Sequence, residues 1–109
     1  MLSVSDNNIT MTRGDTAYLT VPLTTVNGNE YSVTYNDSMR FTVRKKTDDD
    51  EIVLQKLVLG NNSFRIAPAD TADLEYGKYV YDIELTTGGG DVYTVVTKHY
   101  FILTEEITR

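Results

Sequence analysis

Short runs of alternating apolar and polar residues, separated by turn residues, constrain this chain more than any other feature. Between Thr16 and Leu23 the apolar residues occupy every second position. Successive side chains of a strand point to opposite faces, so such a run predicts a strand with one buried face. Similar runs recur roughly every ten residues, and no stretch shows a convincing helical period. The pattern predicts an all-β fold, a Greek-key sandwich of roughly seven to nine antiparallel strands.

The phase of each run also predicts which residues form the core. We expect these side chains to be buried: Ala17, Leu19, Val21, Phe41, Val43, Phe64, Ile66, Tyr81, Ile83 and Leu85. A first strand is expected at Ile9–Met11, and Tyr31 to Tyr35 alternates briefly as a strand does. One short helical turn is expected at Pro68–Leu74, because proline suits the first turn of a helix.

The run from Ile52 to Leu59 changes phase. Ile52 and Leu54 fall on one face, whereas Leu57 and Leu59 fall on the other. A bulge near Gln55 and Lys56, or burial of both faces, would account for the change. Turns are expected before this strand at Asp48–Glu51 and earlier at Val26–Asn29.

The length of 109 residues predicts one domain over residues 1–109, with a core from about residue 9 to 104. A net charge of −6 opposes binding to nucleic acid and to anionic lipid. No apolar run is long enough to span a membrane, and the N-terminus has no signal-peptide pattern. The chain has no cysteine and one histidine, His99, so cysteine-based metal or redox sites and two-histidine metal sites are excluded.

Three motifs suggest chemistry but fit structural roles better. Arg13–Asp15 spells the integrin-binding tripeptide, and Gly-Asp is also common in turns, so we expect a structural turn. Asp48–Glu51 is contiguous and has no glycine, unlike a calcium loop, which spaces its oxygens at alternate positions. Asp82 and Glu84 lie on one strand face, where we expect them to be solvated. The sequence therefore predicts neither an enzyme nor a cofactor or metal site.

Five of the eight tyrosines fall into two groups along the sequence. Tyr76, Tyr79 and Tyr81 surround the junction between the helical turn and the next strand, where a tyrosine corner occurs in immunoglobulin-like domains. Tyr31 and Tyr35 fall near turns and are candidates either for packing or for a recognition surface, where exposed tyrosine is favoured.

The order of several segments resembles the immunoglobulin-like domain at the N-terminus of phage baseplate upper proteins and related prophage tail proteins. The resemblance covers roughly residues 9 to 104 and is carried by Gly14-Asp15-Thr16, Phe41-Thr42-Val43-Arg44, Asp70-Thr71-Ala72-Asp73-Leu74 and Tyr81-Asp82-Ile83-Glu84-Leu85. It implies an immunoglobulin-like sandwich with a structural role in a virion and no catalytic residues. It also implies assembly in the bacterial cytoplasm with other tail or baseplate proteins, or with further copies of the same chain.

Two functions follow as expectations. The first is a protein–protein interaction domain of a phage or prophage tail or baseplate. Its candidate interaction surface comprises Arg40, Thr42, Arg44, Tyr31 and Tyr35. We expect the polar face with Arg40 and the acidic face with Asp82 and Glu84 to lie on different surfaces of the domain. The alternative is a ligand-binding β-sandwich such as a carbohydrate-binding module, with an aromatic platform drawn from Tyr18, Tyr31, Tyr35 and Tyr93.

Overall fold

The computed structural model describes residues 2–5, 8–23, 29, 31–46 and 51–105. These residues form eight strands and one short helix. The strands are β1 (Leu2–Ser5), β2 (Asn8–Thr12), β3 (Ala17–Thr20), β4 (Ser38–Arg44), β5 (Ile52–Leu59), β6 (Ser63–Ile66), β7 (Gly77–Thr86) and β8 (Val92–Thr104), and helix α1 (Pro68–Thr71) lies between β6 and β7. The expectation of an all-β chain with one helical turn is confirmed.

The strands form two sheets. One sheet has six strands in the order β1-β2-β8-β7-β4-β5, and the other pairs β3 with β6. The long central strands β4, β7 and β8 are antiparallel, whereas β2 runs parallel to the end of β8, with Ile9 opposite Phe101. The sequence predicted only antiparallel strands, so this part of the prediction is wrong. A parallel pair joins segments far apart in the chain, and local alternation carries no signal for it.

All ten residues predicted from alternation to be in the core are buried. Side chains of both sheets contribute to one hydrophobic cluster, and the rings of Phe41, Tyr81 and Phe101 lie at its centre. Burial of apolar side chains, to which these large rings contribute, is the main favourable contribution to folding. Strand β2 adds Ile9 and Met11 to the same cluster.

Three local predictions need correction. Residues 31–35 form no strand, although Tyr31 and Val33 pack against the core. Strand β1 occupies Leu2–Ser5, where the sequence showed no strand. The irregularity in β5 lies at Val53, because Val43 is opposite Leu54 and Arg44 is opposite Ile52, and not at Gln55 and Lys56. Most of the turn at Val26–Asn29 and most of the acidic run Asp48–Glu51 lie outside the described residues.

Candidate interaction surface

The six-stranded sheet has an outer face on the side away from the shared core. Strand register defines its rows across β5, β4 and β7. One row contains Leu57, Arg40 and Glu84, and the next contains Gln55, Thr42 and Asp82. Met39 and Phe41 point into the core, so Arg40 between them points to the outer face. There it lies opposite Leu57 of β5 on one side and Glu84 of β7 on the other. The outer face is therefore assembled from three strands that are far apart in the sequence.

The structure separates the three predicted residues of β4. Arg40 is exposed and Arg44 is half-buried, in agreement with an outward orientation. Thr42 is only 4% exposed, so the prediction that it contributes surface is wrong. Its hydroxyl accepts a hydrogen bond of 3.1 Å from the side-chain amide of Gln55, which belongs to the next strand. An outward position in the middle of a sheet is not necessarily solvated, because long neighbouring side chains can cover it.

The basic and acidic residues share this face, so the expectation that they lie on different surfaces is wrong. Arg40 stands opposite Glu84, and Arg44 Nη1 lies 3.7 Å from Asp82 Oδ2. Burial raises the pKa of Asp82 and the nearby Glu84 raises it further, while the Arg44 guanidinium acts in the opposite direction. Charge within this face is therefore largely balanced, and Arg40 and Arg44 do not form a basic face separate from Asp82 and Glu84.

An apolar margin borders the charged rows and was not among the residues expected at the interaction surface. It consists of Ile52, Leu57 and Leu59 on β5, of which Leu57 is 56% and Leu59 is 72% exposed. The bulge at Val53 shifts the phase of the strand, so Ile52 opposite Arg44 joins the same outer face. The phase change between Ile52 and Leu59 is the sequence signal for this margin.

Tyr31 and Tyr35 have different environments. Tyr35 is 85% exposed, and its backbone lies beside Gly60 at the end of β5. The hydroxyl of Tyr31, in contrast, donates a hydrogen bond of 2.8 Å to the buried carboxylate of Asp37. Hydrogen bonds from the Thr34 backbone N–H and from Tyr31 hold the pKa of Asp37 below its usual value. Tyr31 is half-buried and packs against the core, whereas Tyr35 is almost fully exposed.

The Arg13–Asp15 segment forms a structural corner, as the sequence predicted. The guanidinium of Arg13 donates to the carbonyl of Leu74 and to the hydroxyl of Tyr76, and it lies 4.2 Å from the centre of the Tyr76 ring. The backbone N–H of Gly14 donates to the hydroxyl of buried Thr71 at 2.8 Å. These contacts join the β2–β3 turn to the segment around α1.

A shallow cleft of about 320 Å³ lies where the pairing of β2 with β8 ends. Asn8, Val80, Lys98, His99 and Tyr100 line it. His99 is half-buried, and its Nδ1 donates to the carbonyl of Thr97 at 2.6 Å. Within the described residues, no group of three or more histidine or acidic side chains is arranged to hold a metal ion.

The tyrosines proposed for an aromatic platform do not share one face. Tyr18 is opposite Arg65 in the two-stranded sheet, whereas Tyr93 belongs to β8 of the larger sheet.

Across the ranges that the structure describes, none of the helices is long and apolar enough to cross a membrane. Comparisons with protein-family models, curated proteins and solved structures find no match to this chain.

Proposed function

We propose that this chain is a structural protein–protein interaction domain of a phage or prophage tail or baseplate, and that it binds its neighbours through the outer face. The observation that carries the proposal is the composition of that face. Exposed Leu57 and Leu59 border balanced charges at Arg40 and Glu84. Apolar area beside paired polar groups is typical of protein interfaces. The assignment to a tail or baseplate rests on the sequence resemblance.

We further propose that the fold is an immunoglobulin-like sandwich. The hydroxyl of Tyr79, near the start of β7, donates 2.7 Å to the carbonyl of Glu75, which is the arrangement of a tyrosine corner. The pairing of β3 with β6 opposite a sheet centred on β8, β7 and β4 also agrees with the two-sheet arrangement of such domains. A rigid sandwich with loops at both ends is a suitable scaffold for a structural role.

Charge reversal on the outer face tests the proposal. The variant Arg40→Glu with Arg44→Glu places negative charges beside Glu84 and Asp82, so a partner that needs the native charge pattern should bind less well. A matched control reverses the exposed pair Lys45 and Lys46, which follow β4 but lie outside it. In particles assembled with the native neighbouring proteins, we expect the first variant to be depleted and the control to be retained, with both variants folded by circular dichroism. Equal incorporation of both variants would exclude this face as the interface.

A ligand-binding β-sandwich is the second candidate function, and the cleft beside β8 favours it. Tyr100 and Lys98 line the cleft, and the ammonium group of Lys78 lies 4.8 Å from the centre of the Tyr100 ring. An exposed aromatic ring next to cations suits an acidic sugar. Calorimetric titration with acidic and neutral oligosaccharides distinguishes the two functions. Micromolar binding that is lost in Tyr100→Ala and kept in Tyr18→Ala would support the ligand-binding function.

A further inference from the structure

We infer that the cleft beside β8 receives a carboxylate side chain from an acidic segment of the protein that docks on the outer face. The inference rests on the proposed interaction function and deepens it, because it names the charge that the partner supplies. The cleft is lined by Asn8, Val80, Lys98, His99 and Tyr100.

The cleft opens on the same outer face as the proposed interface. Tyr79 of β7 and Phe101 of β8 are buried in the core, so the residues next to them in each strand point outward. Val80 is one of these outward residues, and it lies opposite Tyr100 on one side and Arg44 on the other. The cleft therefore adjoins the charged rows, and one partner can contact both.

The lysines at the cleft carry the charge of this face that has no acidic neighbour. The arginines of β4 stand opposite acidic residues of β7, and Arg44 Nη1 lies 3.7 Å from Asp82 Oδ2. Among the residues that the structure describes, no carboxylate lies within salt-bridge distance of the ammonium group of Lys78 or Lys98. The face thus has a local excess of positive charge, although the chain has a net charge of −6. Complementary charge on a partner is what such an excess favours.

The free polar groups at the cleft are mainly hydrogen-bond donors. Asn8 Oδ1 accepts the backbone N–H of Tyr100 at 2.9 Å, which leaves the Asn8 side-chain N–H groups free to donate. The Lys78 ammonium is held 4.8 Å from the centre of the Tyr100 ring by a cation–π contact. His99 has its Nδ1 bonded to the Thr97 carbonyl, so only its Nε2 is free. A carboxylate suits this set, because it only accepts hydrogen bonds and binds ammonium groups strongly.

A carboxylate from a protein fits the cleft better than one from an acidic sugar. Tyr100 is the one aromatic residue among the described residues that line the cleft, and Lys78 lies against its ring. A sugar that stacks on this ring would compete with the lysine for the ring surface. An aspartate or glutamate side chain needs no ring surface, and the cleft already lies on the face where the protein partner docks.

Neutralising the two lysines tests the inference against a charge-matched control. Lys78→Gln with Lys98→Gln removes both ammonium groups from the cleft. Lys45→Gln with Lys46→Gln removes the same charge at exposed positions that follow β4. Substitutions at exposed positions cost little stability, so both double variants should remain folded by circular dichroism. The probe is a short oligoglutamate peptide, compared with an oligoglutamine peptide of the same length.

Binding is measured at low salt from the shifts of backbone amide signals in NMR titrations. We expect oligoglutamate to bind the unmodified chain with a Kd of about 1 mM and to shift the amides of Asn8 and Tyr100, with weaker binding as salt is added. The cleft variant should bind at least about fivefold more weakly, the control variant less than about twofold more weakly, and oligoglutamine should not bind.

Equal weakening by the two double variants, or no oligoglutamate binding up to about 10 mM, would overturn the inference. Binding of an acidic oligosaccharide under conditions where oligoglutamate fails to bind would also overturn it and would support the ligand-binding function instead.

Incorporation into particles separates failure of this inference from failure of the proposed function. With the native neighbouring proteins, we expect Lys78→Gln with Lys98→Gln to be depleted from particles and the Lys45 and Lys46 control to be retained. Normal incorporation of the cleft variant together with depletion of Arg40→Glu with Arg44→Glu would refute the inference and leave the proposed function intact. Normal incorporation of both would refute the inference and the proposed interface together.

Discussion

The rings of Phe41 and Phe64 lie 5.7 Å apart, centroid to centroid, and connect the six-stranded sheet to the two-stranded sheet. Phe41 belongs to the central strand β4 and Phe64 to β6. The Phe41 ring also lies 5.3 Å from Tyr81 and 6.0 Å from Phe101. Tilted and edge-on rings at such distances attract each other beyond the effect of buried area alone.

Replacing Phe41 with alanine should therefore destabilise the domain strongly. The side chain is fully buried, so Phe41→Ala removes apolar contacts and leaves a cavity between the two sheets. We expect a loss of about 3–5 kcal/mol in the free energy of unfolding, measured by urea denaturation. Leu57→Ala, at an exposed position, should cost less than about 1 kcal/mol. Similar losses for both variants would contradict the placement of Phe41 in the core.

The core could be predicted from the sequence because burial of one strand face requires only a period of two. Phe41, Val43 and Ile83 follow that rule without reference to any other strand. The surface could not be predicted in the same way. Whether Arg40 lies beside Glu84 depends on which strands pair and in which register, and those contacts join distant parts of the chain.

Local irregularities limited the prediction further. A single extra residue at Val53 reassigns Ile52 to the outer face, and alternation alone does not show where such a bulge lies. The half-buried position of Tyr31 depends on a hydrogen bond to Asp37. That contact is decided by the conformation of residues 31–37, which has no periodic pattern.

Thr71→Val should destabilise the corner formed by the β2–β3 turn. The Thr71 side chain is fully buried, and its hydroxyl accepts the 2.8 Å hydrogen bond from the Gly14 backbone N–H. Valine has nearly the same shape but leaves that donor without its acceptor, so we expect a loss of about 1–3 kcal/mol by urea denaturation. Thr71→Ser keeps the hydroxyl and should retain more stability than Thr71→Val. The reverse order would show that the methyl group matters more than the hydrogen bond.

Alanine should be tolerated at Gly89 but not at Gly88. A Cβ at Gly88 would lie 2.6 Å from the Cβ of Asn36, closer than two such carbons can approach, so the backbone must shift. A Cβ at Gly89 would lie 3.9 Å from the Thr87 hydroxyl, which is an ordinary contact. We expect Gly88→Ala to lower the free energy of unfolding by about 1–3 kcal/mol and Gly89→Ala to change it by less than about 0.5 kcal/mol. Thermal melts of both variants check this, and equal melting temperatures would contradict the close approach of residues 36 and 88.

Asp37 should make the stability of the domain depend on pH in the acidic range. Its carboxylate accepts hydrogen bonds from the Thr34 N–H at 3.0 Å, the Tyr31 hydroxyl at 2.8 Å and the Gly88 N–H at 3.1 Å. These bonds favour the charged form, so the pKa of Asp37 in the folded chain is lower than its usual value of 3.8. A lowered carboxyl pKa stabilises the fold above the unfolded-state pKa, and this contribution is lost as the pH falls through the folded-state pKa.

Asp37→Asn should therefore reduce stability more at pH 7 than at pH 3, because pH 3 lies below the usual carboxyl pKa of 3.8, where the unfolded state takes up a proton more readily than the folded state. Urea denaturation of both proteins at the two pH values measures the difference. Asp73→Asn removes the same charge at an exposed position and controls for the change in net charge. Tyr31→Phe removes one of the donors and should reduce part of the same pH dependence. If the stability difference between wild type and Asp37→Asn were the same at pH 3 and pH 7, the charged form of Asp37 would not be what its hydrogen bonds stabilise.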